Sequence, residues 1–208
     1  MDYRRTKYCP ELIDIKQKKK KIEAAIKTKY PRAKDMHTYI RNNSLKFKKD
    51  FIEAYNGKCA YCGVSIDLIK KNEFEIDHFI YEKAPTFATK KDAGYMDNLV
   101  LACHDCNHNK SAFWIDEEWI ETLYPDGEKI KEVFFRDKLY YIRISDKYKE
   151  ISMIKDFYYK LQLDSELHRL DYLIMNLIGL QQTCKENSEL YIGLGKILYL
   201  IRKKRNII

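Results

Sequence analysis

Two cysteine pairs, Cys59 with Cys62 in KCAYCG and Cys103 with Cys106 in ACHDCN, constrain this chain more than any other feature. Forty residues separate Cys62 from Cys103, so a fold that unites the pairs must close a long loop. A metal repays that closure. Zn(II) takes four soft ligands in a tetrahedron, each thiolate at about 2.3 Å, and each C-x2-C turn supplies two. Four thiolates leave no open position for water, so such an ion is structural. A redox C-x-x-C needs no twin, which makes a four-cysteine frame the better reading. Cys9 and Cys184 stand without ligand company and read as ordinary thiols.

Around the frame the composition is that of a globular chain: 208 residues, 45% apolar and 34% charged, with seven glycines and four prolines. No apolar run approaches the roughly 20 residues of a membrane span, and the first residues hold no signal-peptide run. The expectation is a cytoplasmic protein away from membranes, in a reducing compartment where closely spaced cysteines serve metals rather than disulfides. Residues 1–50 hold 16 Lys or Arg against 6 Asp or Glu, a larger excess than the whole net charge of +8. Such a segment suits a polyanion, because each phosphate it neutralises releases counterions. A solvated helix face would account for the same charge.

Leu12, Ile15, Ile22 and Ile26 mark a helix over 11–30 that ends at Pro31, and a second helix reads from Ser44 as N-cap to Asn56-Gly57. FEIDHFI at 74–80 and NLVLAC at 98–103 have strand character, with a long polar loop between them. Beyond 115 the pattern predicts a short helix capped by Asp116 and a YPDG turn. Two strands follow in EVFFRDKLYYIRIS, then helices from Lys149. The run LDYLIMNLIGL at 170–180 is apolar on most sides and suits a buried helix or a partner surface. Three segments result: a basic helical arm at 1–44, a core at 45–115 and a mixed, mainly helical region at 116–208.

Between and after the cysteine pairs lie Asp77-His78 at the end of one strand, Asn98 at the start of the next and Asn107 directly after Cys106. Over about residues 57–113 this order resembles the HNH endonuclease family. The resemblance implies an α+β protein with a ββα-metal core, in which two strands and a helix clasp a divalent ion. It implies His78 as general base, Asn98 as a brace of the long loop, and Asp77 and Asn107 as ligands of the catalytic ion. Asn107 departs from the histidine commonest at that place, although an asparagine form is familiar in the family.

Elementary chemistry agrees with that assignment. Hydrolysing a phosphodiester needs a water deprotonated near neutral pH, which suits imidazole. Developing phosphate charge needs a hard cation on oxygen ligands, Mg(II) or Mn(II). His108 is a rival ligand but points about 100° away from Asn107 on a helix. Lys110, three residues after Asn107, shares its face and is a candidate phosphate contact, with a solvated lysine as the plain alternative. Glu75 lies on the strand face of Asp77 and reads either as support for the metal shell or as an exposed strand residue. Phe113 and Trp114 are expected to pack the helix, and His104 and His108 to lie at the surface.

The resulting expectation is endonucleolytic cleavage of nucleic acid, DNA in preference, in restriction or anti-phage defence. The resemblance also admits a protein partner such as a defence-system ATPase, and a homo-oligomer. A non-catalytic zinc module that binds nucleic acid or protein, and an RNase with the same site, are the alternatives. Adjacent strand residues point to opposite faces, so Asp77 and His78 share a site only if the strand bends or ends there.

Overall fold

A computed structural model describes residues 1–9, 11–42, 46–69 and 73–206. Its helices are α1 (Ile15–Lys29), α2 (Met36–Ile40), α3 (Phe47–Ala54), α4 (His104–Lys110), α5 (Glu117–Leu123), α6 (Ile130–Val133), α7 (Ser152–Lys160), α8 (Glu166–Gln182) and α9 (Glu189–Arg205). Its strands are β1 (Phe74–His78), β2 (Leu99–Cys103), β3 (Phe134–Arg136) and β4 (Ile142–Ile144). Among the described residues, the mixture of helices and two small antiparallel sheets is the α+β architecture that the sequence predicts.

β1 and β2 pair from Phe74 opposite Cys103 to His78 opposite Leu99. β2 is buried along its whole length, as an apolar strand covered on both faces must be. It runs directly into α4, so the second cysteine pair sits where strand becomes helix. Earlier in the chain, α3 ends where Gly57 N–H returns to the Ile52 carbonyl at 2.9 Å, and the chain enters the first cysteine pair. The proposed N-cap of that helix, Ser44, and the following Leu45 lie outside the described residues.

α1 is no loose appendage. Ile15, Ile22 and Ile26 are buried with Phe47, Phe51 and Ile52 in one core, each such side chain contributing roughly 1.5–3 kcal/mol of burial. Lys19 follows them inward: its ammonium bonds Asp126 at 2.7 Å and the Leu99 carbonyl at 2.7 Å, both partners of the salt bridge being essentially buried. One of the N-terminal lysines is thus a structural bolt between α1, β2 and the YPDG turn. Arg4 is another buried cation, holding Asp2 at 2.9 Å and the carbonyls of Ala60 at 2.5 Å and Pro125 at 2.8 Å.

α2 has no counterpart in the sequence reading. Gly94 secures it: a Cβ at this position would run into the Asp35 carboxylate, so only glycine lets the loop lie against the N-cap of α2. The expected strand at 132–136 starts only at Phe134, because Glu132 and Val133 close α6. Its partner β4 pairs Ile144 with Phe134, completing the hairpin. Phe113 packs on Phe157 of α7 with ring centroids 6.1 Å apart, as expected of a packing residue. Trp114 is less engaged than expected: it is 42% exposed, whereas the next residue, Ile115, is buried.

Candidate active site

The four cysteine sulfurs lie within 4.8 Å of one another, all buried, and Cys62 and Cys103 approach to 3.8 Å. A tetrahedron with arms of about 2.3 Å has edges of about 3.8 Å, so this set fits a structural zinc. The first pair is held in its turn by Gly63 N–H to the Cys59 carbonyl and by Cys59 N–H to the Val64 carbonyl, both 2.9 Å. Ala60 N–H donates to the Leu101 carbonyl at 2.7 Å and ties the turn to β2. From α8, His168 brings Nε2 to 4.0 Å from Cys106 Sγ, while its buried Nδ1 meets no partner among the described residues. That arrangement suits an imidazole that donates from Nε2 toward a thiolate.

β1 ends at His78, and Asp77 and His78 both line one cleft of about 300 Å³ together with Glu82, Asn107 and His108. The termination of the strand removes the conflict of opposite faces. Asp77 is 7% exposed. Tyr61 Oη donates to its Oδ2 at 2.6 Å and Lys110 Nζ to its Oδ1 at 3.1 Å. Burial pushes the Asp77 carboxyl above its ordinary range even though the Lys110 ammonium pulls the other way.

Lys110 corrects the sequence reading. Its side chain is 1% exposed, and Nζ also donates to the His78 carbonyl at 2.8 Å. Placed in the last turn of a short helix packed on β1, the ammonium turns into the protein and neutralises Asp77 instead of facing a phosphate.

His78 is half-buried, and its ring lies 4.4 Å from that of His37 on α2. Burial, and then the neighbouring His37, bring the His78 imidazole down to about 4. His37 Nε2 sits 3.3 Å from the Ile76 carbonyl, so α2 is attached to β1 one residue before Asp77.

Asn98 is 1% exposed and closes the long loop on itself. Its Oδ1 accepts from Ile80 N–H at 2.7 Å, and its Nδ2 donates to the carbonyls of Ile80 at 3.0 Å and Ala93 at 2.9 Å. Asn107 Nδ2 donates to Glu75 Oε2, and Glu75 Oε1 meets His104 Nδ1 at 3.1 Å. Burial opposes ionisation of Glu75, but the bonds from Asn107 and His104 outweigh it and hold the carboxyl below its usual range. His104 and His108 are exposed and stacked on each other with centroids 5.6 Å apart.

The cleft offers the Asp77 carboxylate and the Asn107 amide, oxygen donors of the kind a hard divalent cation takes, while Glu82 at its rim is paired with Lys90 at 2.8 Å. Two antiparallel strands and a helix that present this cleft beside a four-thiol frame define a ββα-metal architecture. Residues 59–113 match the HNH endonuclease family model, and this segment, with its clustered cysteines, is an HNH domain of the double C-x2-C form. Searches of curated proteins and of solved structures give no match. HNH domains are typically those of nucleases, which act on nucleic acid with a divalent metal, and no helix among the described residues is long and apolar enough to cross a membrane.

Sequence reasoning missed His37, Tyr61 and His168. Tyr61 sits between the first two cysteines and was there to be noticed. His37 and His168 carry no local motif and reach their places only through the packing of α2 and α8.

Proposed function

We propose that this chain is a metal-dependent endonuclease that hydrolyses phosphodiester bonds, with DNA as its preferred substrate. The observation that supports it is the meeting of Asp77, His78 and Asn107 in one cleft, apart from the cysteine frame. His78 takes a proton from the attacking water, which leaves a hydroxide to add to phosphorus while the 3′ oxygen departs. Asp77 and the Asn107 amide oxygen would hold Mg(II) or Mn(II), which supplies the positive charge that the phosphorane and leaving group require. Asn98 keeps the long loop, and with it the end of β1, in place. His37 keeps the His78 ring from swinging.

A reducing compartment such as the cytoplasm suits the four thiols. Anti-phage defence or restriction, an ATPase partner and self-association belong to this proposal and come from the resemblance alone.

The test is incubation of the purified protein with supercoiled plasmid and with linear RNA, in Mg(II), Mn(II) or EDTA. Plasmid cleavage that depends on the divalent ion and disappears in His78→Ala, with zinc content unchanged, supports the proposal. Cleavage of RNA alone transfers the site to an RNase. Retention of bound nucleic acid without cleavage of either substrate favours a binding module.

A further inference from the structure

Asn107 has a problem that an acidic ligand at its place would not have. Its side chain ends in an oxygen and a nitrogen of almost equal size, and only the oxygen can face a cation. Rotation of the amide by half a turn would present two N–H groups to the cleft and close the site. Something must hold the side chain one way round.

Glu75 stands where that choice is made. It lies two residues before Asp77, on the same face of β1, and Asn107 Nδ2 donates to its Oε2. A carboxylate has no hydrogen to give, so the group it meets on Asn107 must be the NH2, and the amide oxygen is turned the other way. The carboxylate is itself pinned, because its Oε1 meets His104 Nδ1 at 3.1 Å from one turn earlier on α4. Glu75 therefore spans two residues of α4 with its two oxygens. Surface decoration does not require such a bracket: side-chain exposures of 40% for Glu75 and 56% for His104 leave both free to seek solvent, yet both are engaged with each other.

We infer that Glu75 is a positioning residue, which, buttressed by His104, sets the orientation of the Asn107 amide so that its oxygen faces the cleft. This rests on the reading of Asn107 as a ligand in the proposed nuclease site. Groups that orient metal ligands in this way commonly affect metal affinity by about 10- to 100-fold.

The experiment measures Mn(II) affinity by electron paramagnetic resonance titration of the zinc-loaded, full-length protein, with thermal melting and zinc content as checks of fold. Glu75→Ala is expected to weaken Mn(II) binding about tenfold. Glu75→Gln should weaken it less, since a glutamine can still offer its carbonyl oxygen to Asn107. In an Asn107→Asp background the ligand presents oxygen whichever way it turns, so Glu75→Ala should then cause no loss.

That reversal separates orientation from simple charge. If Glu75→Ala weakens binding equally in both backgrounds, Glu75 acts only as a nearby negative charge and the inference is overturned. If Asn107→Ala weakens Mn(II) binding but Glu75→Ala does not, the metal site stands and the role of Glu75 falls. If Asn107→Ala leaves affinity unchanged, Asn107 is no ligand and both readings fall together.

Discussion

Lys110 and Lys19 occupy different elements, yet each is a lysine that sequence context assigns to solvent and the fold turns inward onto an aspartate. Removing one partner of such a pair leaves a buried charge uncompensated, at a cost of about 3–5 kcal/mol. Lys110→Met is therefore expected to lower the unfolding free energy, read by urea denaturation, by about 3 kcal/mol. A loss below about 1 kcal/mol would place Lys110 at the surface after all. Asp2 poses the same question at the N-terminus and adds a pH dependence. Burial opposes its ionisation, but the Arg4 guanidinium at 2.9 Å outweighs that and holds the carboxyl below its ordinary range. Its contribution is fully present above the unfolded aspartate value of about 3.9, and is lost as pH falls through the lower folded value. Asp2→Asn should accordingly be less stable than the parent at neutral pH, with the difference closing as the solution is acidified. A gap independent of pH would show that the ion pair is not its source.

Among the elements, α2 matters out of proportion to its five residues. It is held by Asp35 capping Thr38, with Thr38 Oγ1 donating at 2.7 Å, and by the loop that Gly94 lets approach. The product of those contacts is the His37 ring against His78. His37→Ala should lower kcat about tenfold or more with KM little changed, since a small misplacement of a reacting group is enough for such a loss. His37→Phe, which keeps a ring without its nitrogens, should recover most of the rate. Equal loss in both variants would assign the effect to the Ile76 carbonyl contact instead.

For the molecule as a whole, the cysteine frame is the point where the N-terminal segment, the ββα unit and helix α8 meet. Tyr3 donates to the Tyr61 carbonyl at 2.5 Å, Arg4 to that of Ala60 and His168 reaches Cys106. Zinc stripped by a chelator should thus cost cooperative unfolding of the protein, read by circular dichroism, and not a local loosening, because structural zinc contributes folding free energy directly. A melting curve unchanged by the loss of zinc would refute the frame. The basic surface has its own test. Lys16, Lys20 and Lys21 are exposed on α1, whereas Lys19 is not. Neutralising Lys16, Lys20 and Lys21 together in a His78→Ala protein should flatten the salt dependence of nucleic-acid binding by roughly one unit of slope per lost phosphate contact. An unaltered slope would leave α1 a helix whose charge only solvates it. Lys19→Ala, by contrast, should act on stability.

Parts whose chemistry is local were readable from residue order alone. Two C-x2-C pairs allow few geometries around one ion. An Asp-His step, an asparagine after the loop and an asparagine after the last cysteine carry their order in the chain, which is why residues 59–113 were legible before any fold was drawn. Helices α1, α3 and α8 were legible too, through apolar spacing. Three-dimensional packing settled whatever depends on which groups end up out of water. It placed Lys110 on Asp77 and Lys19 on Asp126, where the residue type alone argues for solvent, because an ammonium with a long apolar stem can be buried once a carboxylate and carbonyls are waiting for it. It brought His37 to His78 and His168 to Cys106 across distances no local pattern encodes. It gave Glu75, an ordinary strand glutamate by spacing, two partners on α4, since only the packing of helix on strand sets which hydrogen bonds a side chain can complete.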